Sequence, residues 1–229
     1  MNVLLSEFKN VLTEFNNSPA IRRIMVGDIN IDHYKGILRQ IFHHVRENPQ
    51  IQALATIYFR GHQRMMVKDF YRHAISEIGH DQLALNDLKV LGEDVSLIPY
   101  ENPLPSTTAL LSFAFYQINN LKPIGYLGYL FFLEFTPTQN GKTYMELLNK
   151  IGVPHDAMTF LQDHSEIDIA HNKMMESYIA ELVKTEDDLN SVIYAMQVTG
   201  KLYANMLQEA FDWVDNPKPR SMSTVEKAA

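Results

Sequence analysis

Apolar residues recur at helical spacing along nearly the whole chain, and nowhere do they alternate in the two-residue period of a strand. Residues 2–15 place Val3, Leu4, Phe8, Leu12 and Phe15 on one face. A second helix is predicted over 31–46, with Asn30 or Asp32 as its cap and Tyr34, Ile37, Leu38, Ile41 and Phe42 on its apolar side. Pro49 marks a break, and another helix follows to about residue 60. A long helix is predicted over 63–90, closed by Gly92. The stretch 92–106 carries three prolines and reads as a loop. Further helices are predicted over 107–119, 122–135, 142–151, 155–163, 164–184 and 187–214, with Pro137 and Gly141 bracketing a turn. Pro123 suits a first helical turn, and Thr185 or Asp187 can cap the last helix. The expectation is one all-α domain over 1–214 and a loose tail over 215–229.

One helix breaks its own pattern. In GYLGYLFFLEF, residues 125–135, every position but Glu134 is apolar, aromatic or glycine. A carboxylate in such a setting is costly unless it is paired, hydrogen-bonded or bound to a metal. Two other segments carry groups that could meet it. In HAISEIGHD, residues 73–81, Glu77 and His80 are three apart and are expected on one helical face. In DHSEIDIAH, residues 163–171, His164, Asp168 and His171 fall at i, i+4 and i+7. Imidazole and carboxylate groups in register suit a divalent ion, and three carboxylates packed without a cation would repel. Glu77, His80, Glu134, His164, Asp168 and His171 are therefore the candidate metal ligands, the pattern by which helical bundles hold iron or manganese pairs.

Other histidines read differently. His73 shares the face of Glu77 and His80, as a partner of the ligands, as a substitute ligand or as a satisfied, partly buried side chain. His43 and His44 read as ordinary, and His33, His62 and His155 lie near element ends. The 11 methionines read as core filler, although Met174 and Met175, with Tyr178, continue the face of His171. Tyr116, Tyr126 and Tyr129 lie near Glu134 in sequence and are candidates for a pocket or for core packing.

Composition narrows the classes. The chain has 229 residues, 46% of them hydrophobic, ample for a real core. A formal charge of −7 argues against a broad nucleic-acid surface. With no cysteine there are no disulfides, thiolate sites or cysteine nucleophiles. The N-terminus reads as an amphipathic helix rather than a signal peptide, and the longest apolar run is too short to span a bilayer, so a cytoplasmic protein is expected.

The order E-x-x-H, isolated glutamate, H-x-x-x-D-x-x-H in an all-α chain resembles the heme-oxygenase-like di-iron oxidases and oxygenases. These sit within the superfamily of TenA-like thiaminases and the pyrroloquinoline-quinone synthase PqqC. The segments HYKGILRQIFHHVRENP and HAISEIGHDQLALNDLKVLG carry the likeness further. The resemblance implies a heme-oxygenase-like (TenA/PqqC-like) helical bundle. It also implies one iron held by Glu77, His80 and His164 and a second by Glu134, Asp168 and His171, manganese being an alternative metal. Some members place their first glutamate where this chain has His73; the E-x-x-H spacing is closest to that of a fatty-acid decarboxylase. The implied activity is that of a non-heme iron oxidoreductase, with O2 as co-substrate and a small molecule as substrate. No nucleic-acid or membrane partner is expected, and a homodimer is an option. Two other readings fit the same residues: a metal-free binding or catalytic protein of the PqqC/TenA type, and a ferritin-like metal-binding protein. The thiaminase branch is disfavoured because its nucleophile is a cysteine.

Overall fold

A computed structural model of the protein describes residues 1–217, Pro219 and Met222, and for 166–170 the backbone alone. The described residues form ten α-helices: α1 Asn2–Asn16, α2 Pro19–Val26, α3 Ile31–Val45, α4 Asn48–Ala55, α5 Val67–Glu77, α6 His80–Val90, α7 Pro105–Asn119, α8 Tyr126–Lys150, α9 Thr159–Leu182 and α10 Glu186–Asp215. Among them there is no strand, only an isolated bridge between Glu101 and Met222. The all-α class is thus as the periodicity predicts. No described helix is long and apolar enough to cross a membrane. Most of the tail predicted from residue 215 onward lies outside the described residues.

The centre of the fold is α8. Tyr126 to Phe132 are all buried, as expected of a helix that is apolar on every side. It lies between α9 and α10, its closest helical neighbours. Phe8 and Phe15 of α1 meet Phe131 and Phe132 edge to face, at ring separations of 5.6 and 5.5 Å. A Cβ at Gly128 would collide with the Val192 carbonyl and the Met196 amide of α10, so glycine is what lets the two backbones touch.

Three boundaries differ from expectation. The predicted turn at 137–141 is absent, and α8 runs through Pro137. Proline offers no N–H to the Leu133 carbonyl, a local loss that would normally end a helix. Here Glu134, before the proline, meets His171 of α9, and Gly141, after it, lies against Ser165, so packing on α9 spans the break. The helices predicted over 155–163 and 164–184 are one, α9, preceded by a short 3-10 turn at His155–Ala157. Conversely, the helix predicted over 63–90 is broken. A 3-10 turn fills Gly61–Met66, and α5 gives way to α6 at Ile78, which is extended, and Gly79, at φ 101°. That left-handed backbone favours glycine. The short α2, starting at Pro19, occupies a stretch for which no helix was predicted.

Candidate metal centre

The break at Gly79 places Glu77 at the C-terminus of α5 and His80 at the N-terminus of α6. They are therefore not neighbours on one continuous helical face. They still meet, with His80 Nδ1 3.3 Å from Glu77 Oε2. Glu134 comes from α8, and His164 and His171 from α9. The first turn of α9 is held by Asp87 of α6, a fully buried carboxylate that accepts from the Thr159 amide (3.0 Å), the Thr159 hydroxyl (2.6 Å) and the Phe160 amide (3.0 Å). Burial raises the pKa of Asp87, against the lowering effect of these three donors.

Two donor groups result. In the first, His73, Glu77, Glu134 and His171 are all buried, and one ligand-type atom from each lies within 4.8 Å of the others. In the second, Glu77, His80 and His164 meet within the same limit. Glu77 belongs to both, and it divides its oxygens between them. Oε1 lies 3.5 Å from His171 Nδ1 and 3.7 Å from His73 Nε2, whereas Oε2 faces His80. Glu134 is contacted at 3.0 Å by His73 Nε2 on one oxygen and by His171 Nδ1 on the other.

The electrostatics follow from this packing. Burial alone would push the Glu134 carboxyl up, yet His171 and His73 beside it hold its pKa down at about 2. His80 is raised, chiefly by Glu77. His164 is lowered, chiefly by burial, which favours its neutral form. Its Nδ1 lies 2.8 Å from the Phe160 carbonyl, which can only accept, so Nδ1 carries the proton and Nε2 is left bare. The Phe160 ring stacks on the imidazole at 4.0 Å and fixes its orientation.

The donor set fits a metal. Both ring nitrogens of His73, and Nδ1 of His80, are buried without a hydrogen bond in spite of the carboxylates nearby. Buried polar atoms are normally paired. His73 Nε2 and His80 Nδ1 lie 3.0 and 3.3 Å from carboxylate oxygens but out of line for a hydrogen bond, a placement a shared ion could use. Imidazole and carboxylate are the donors that iron and manganese accept.

The candidate ligands are placed as follows. Glu77, His80, Glu134, His164 and His171 come together. The side chain of Asp168 lies outside the described residues. His73, read above as a ligand partner, a substitute ligand or a satisfied side chain, is fully buried inside the first group. Its spacing from Glu77 and His80 was the available signal. Tyr126 and Tyr129 are buried, whereas Tyr116 is exposed and belongs to no pocket around Glu134. His44 is not ordinary. It is fully buried, its Nε2 2.7 Å from the Tyr129 hydroxyl, which itself donates to Asn48 at 2.8 Å.

On the far side of His164 is an apolar cavity of about 100 Å³, lined among others by Ile21, Ile37, Ile41, Leu148 and Tyr203. None of its lining residues is charged at neutral pH. It would hold about three waters by volume, but waters need polar partners that these walls scarcely offer.

The model of a family described as iron-containing redox enzymes matches residues 35–204. No curated protein matches the chain. Among solved structures, a domain of unknown function with a heme oxygenase-like fold from Shewanella denitrificans is similar. It has a TM-score of 0.81 and 23% identity, and the match covers 95% of this chain and 94% of that one. A TenA homologue from Pyrococcus furiosus superimposes with a TM-score of 0.74 at 13% identity, over 91% of this chain and 98% of that one. A CADD-like protein of unknown function from Nostoc punctiforme gives 0.68 at 14% identity, over 95% and 97%. At these identities the structures establish the heme oxygenase-like fold and nothing finer.

Proposed function

The chain belongs to the family of iron-containing redox enzymes, and on that premise we propose that it is a non-heme di-iron oxidase or oxygenase that activates O2 against a small, largely apolar organic substrate. The observation that carries this reading is the division of Glu77, whose two oxygens face two separate sets of imidazoles. A carboxylate so placed could serve as a donor to both sites. His73, Glu77, Glu134 and His171 would hold one, with Asp168 as a further candidate from the same turn of α9. Glu77, His80 and His164 would hold the other.

Bound there, iron would supply the electron transfers and the O2 coordination that side chains lack. The protein's own part is positioning and exclusion. Glu134 stays ionised far below neutral pH and so offers a carboxylate under all ordinary conditions. His164 presents its bare Nε2 because Phe160 occupies Nδ1. The uncharged cavity of about 100 Å³ beside His164 offers a bed for a small apolar group of the substrate. That bed favours an organic substrate over the ferritin-like alternative, in which no such pocket is needed.

The test is anaerobic reconstitution with ferrous iron, metal analysis, and optical and Mössbauer spectroscopy before and after O2. Two irons per chain and a transient chromophore are expected. Failure to take up iron would instead favour a metal-free protein of the TenA/PqqC type.

A further inference from the structure

Helix α5 has two unlike faces. Phe70, His73, Ala74 and Glu77 are buried, the ligand-type His73 and Glu77 among them. Lys68, Tyr71, Arg72 and Ile75, at i, i+3, i+4 and i+7, form the solvent stripe. Exposed apolar side chains from beyond the helix join Ile75 of this stripe. Ile75 and Ile78 are each 67% exposed, Met65 80% and Ile57 51%. The Thr56 hydroxyl lies 3.3 Å from the Tyr71 hydroxyl and brings the Ile57 end beside α5. Between α4 and α5 runs an open groove of about 560 Å³, walled by Pro49, Ala53, Tyr71, Ile75 and Ile78, and Glu77 forms part of its lining. The groove thus touches the donor shared by both groups. Contiguous exposed apolar surface of this kind marks a contact site.

Charge says what kind of contact. Arg60, Arg64, Lys68 and Arg72 are all exposed around these residues, in a chain whose formal charge is −7. Over 57–78 the acidic residues are Asp69, which pairs with Arg72 at 3.0 Å, and the buried Glu77; in the groove itself Arg46 and Asp81 offset each other. Among the described residues Arg60, Arg64 and Lys68 make no ion pair. A second copy docking through a two-fold axis would set these cations against their own counterparts. An acidic partner would meet them with complementary charge.

We propose that the face formed by the 3-10 turn at Gly61–Met66, α5 and the α4–α5 groove docks a small acidic electron-carrier protein. This rests on the metal-centre reading above. In each encounter the reduced carrier loses one electron and one ferric ion gains it to become ferrous; two encounters deliver two electrons. The exposed apolar side chains supply the contact area, the basic rim the orientation, and Glu77 the nearest donor beneath.

A reduced plant-type [2Fe–2S] ferredoxin is a suitable probe, used with the full-length protein. Calorimetry on the metal-free form measures docking alone, and stopped-flow reduction of the ferric form measures transfer. Docking is expected to weaken about tenfold or more in Arg64→Glu/Lys68→Glu and again in Ile75→Asp, and to weaken as salt rises. Iron content and thermal stability should stay at wild-type values in the charge variant. No docking by the metal-free protein, or docking indifferent to salt and to these variants, would overturn the proposal. So would a dimer in sedimentation that Ile75→Asp dissociates, since a second copy would then own the face. Docking without iron uptake would leave this surface standing and remove the centre beneath it.

Discussion

Asp87 offers the sharpest test of how the fold serves the centre. Asp87→Ala removes a fully buried acceptor from two amides and a hydroxyl at the start of α9, where the Phe160 amide is buried and Thr159 partly so. The hydroxyl can rotate to another acceptor, but the amides of Thr159 and Phe160 cannot. An orphaned buried donor costs about 1–3 kcal/mol, and loss of a helix cap about 0.5–2 kcal/mol. Relief from burying a charge offsets part of this, so about 3 kcal/mol is expected. For a chain of this size that is a fall in Tm of roughly 6–12 °C. Because burial raises its folded pKa, Asp87 contributes most on the acid side, and its contribution declines as pH rises through that pKa. The penalty should shrink accordingly. The second consequence is at the metal. Phe160, held by Asp87, in turn fixes His164 through its carbonyl and its ring. Loss of such outer partners costs about 10–100-fold in metal affinity. Urea unfolding of the metal-free protein and anaerobic ferrous titration measure the two effects. A stability change under about 1 kcal/mol together with unchanged affinity would refute the reasoning.

Further outcomes are expected. Glu134→Ala should lower iron stoichiometry by metal analysis while the circular dichroism of the metal-free protein stays helical; wild-type iron content would remove Glu134 from the ligand set. His44 is held neutral by burial, with its pKa at about 3, against about 6.5 in the unfolded chain. Its contribution is therefore present above the unfolded value and lost as pH falls toward the folded one, at about 1.4 kcal/mol per pH unit. Stability measured over that range should fall less steeply in His44→Phe, and equal slopes would contradict the buried neutral imidazole. Ile37→Trp, which fills the cavity beside His164, should leave iron content unchanged and abolish binding of apolar ligands by the iron-loaded protein, read by calorimetry; unchanged binding would place the substrate elsewhere.

The legibility of this protein in its sequence was uneven, for physical reasons. Helical periodicity and the lone carboxylate of α8 are local patterns, and both the all-α class and the burial of Glu134 follow from them. Helix ends depended on packing between distant segments. Pro137 reads as a stop only until α9 covers both halves of α8. Gly79 passes as a helical residue unless the left-handed backbone is known. His73 stood at ligand spacing all along, but what buries it against Glu134 is a contact between α5 and α8. The bond between His44 and Tyr129 joins α3 to α8 and has no counterpart in any local pattern.

The donors of the centre are drawn from four helices, and this makes it a matter of chain topology as well as chemistry. Glu134 and His171 are 37 residues apart, and the chain between them would form a closed loop once an ion held both. In a chain without cysteine, such an ion would take the part a disulfide plays elsewhere. The entropic stabilisation from cross-linking loops of this length is about 3–4 kcal/mol. The more telling effect would be kinetic. No one of α5, α8 and α9 could peel away while that ion stayed bound. Local opening, and the proteolysis that exploits it, would have to wait for its release.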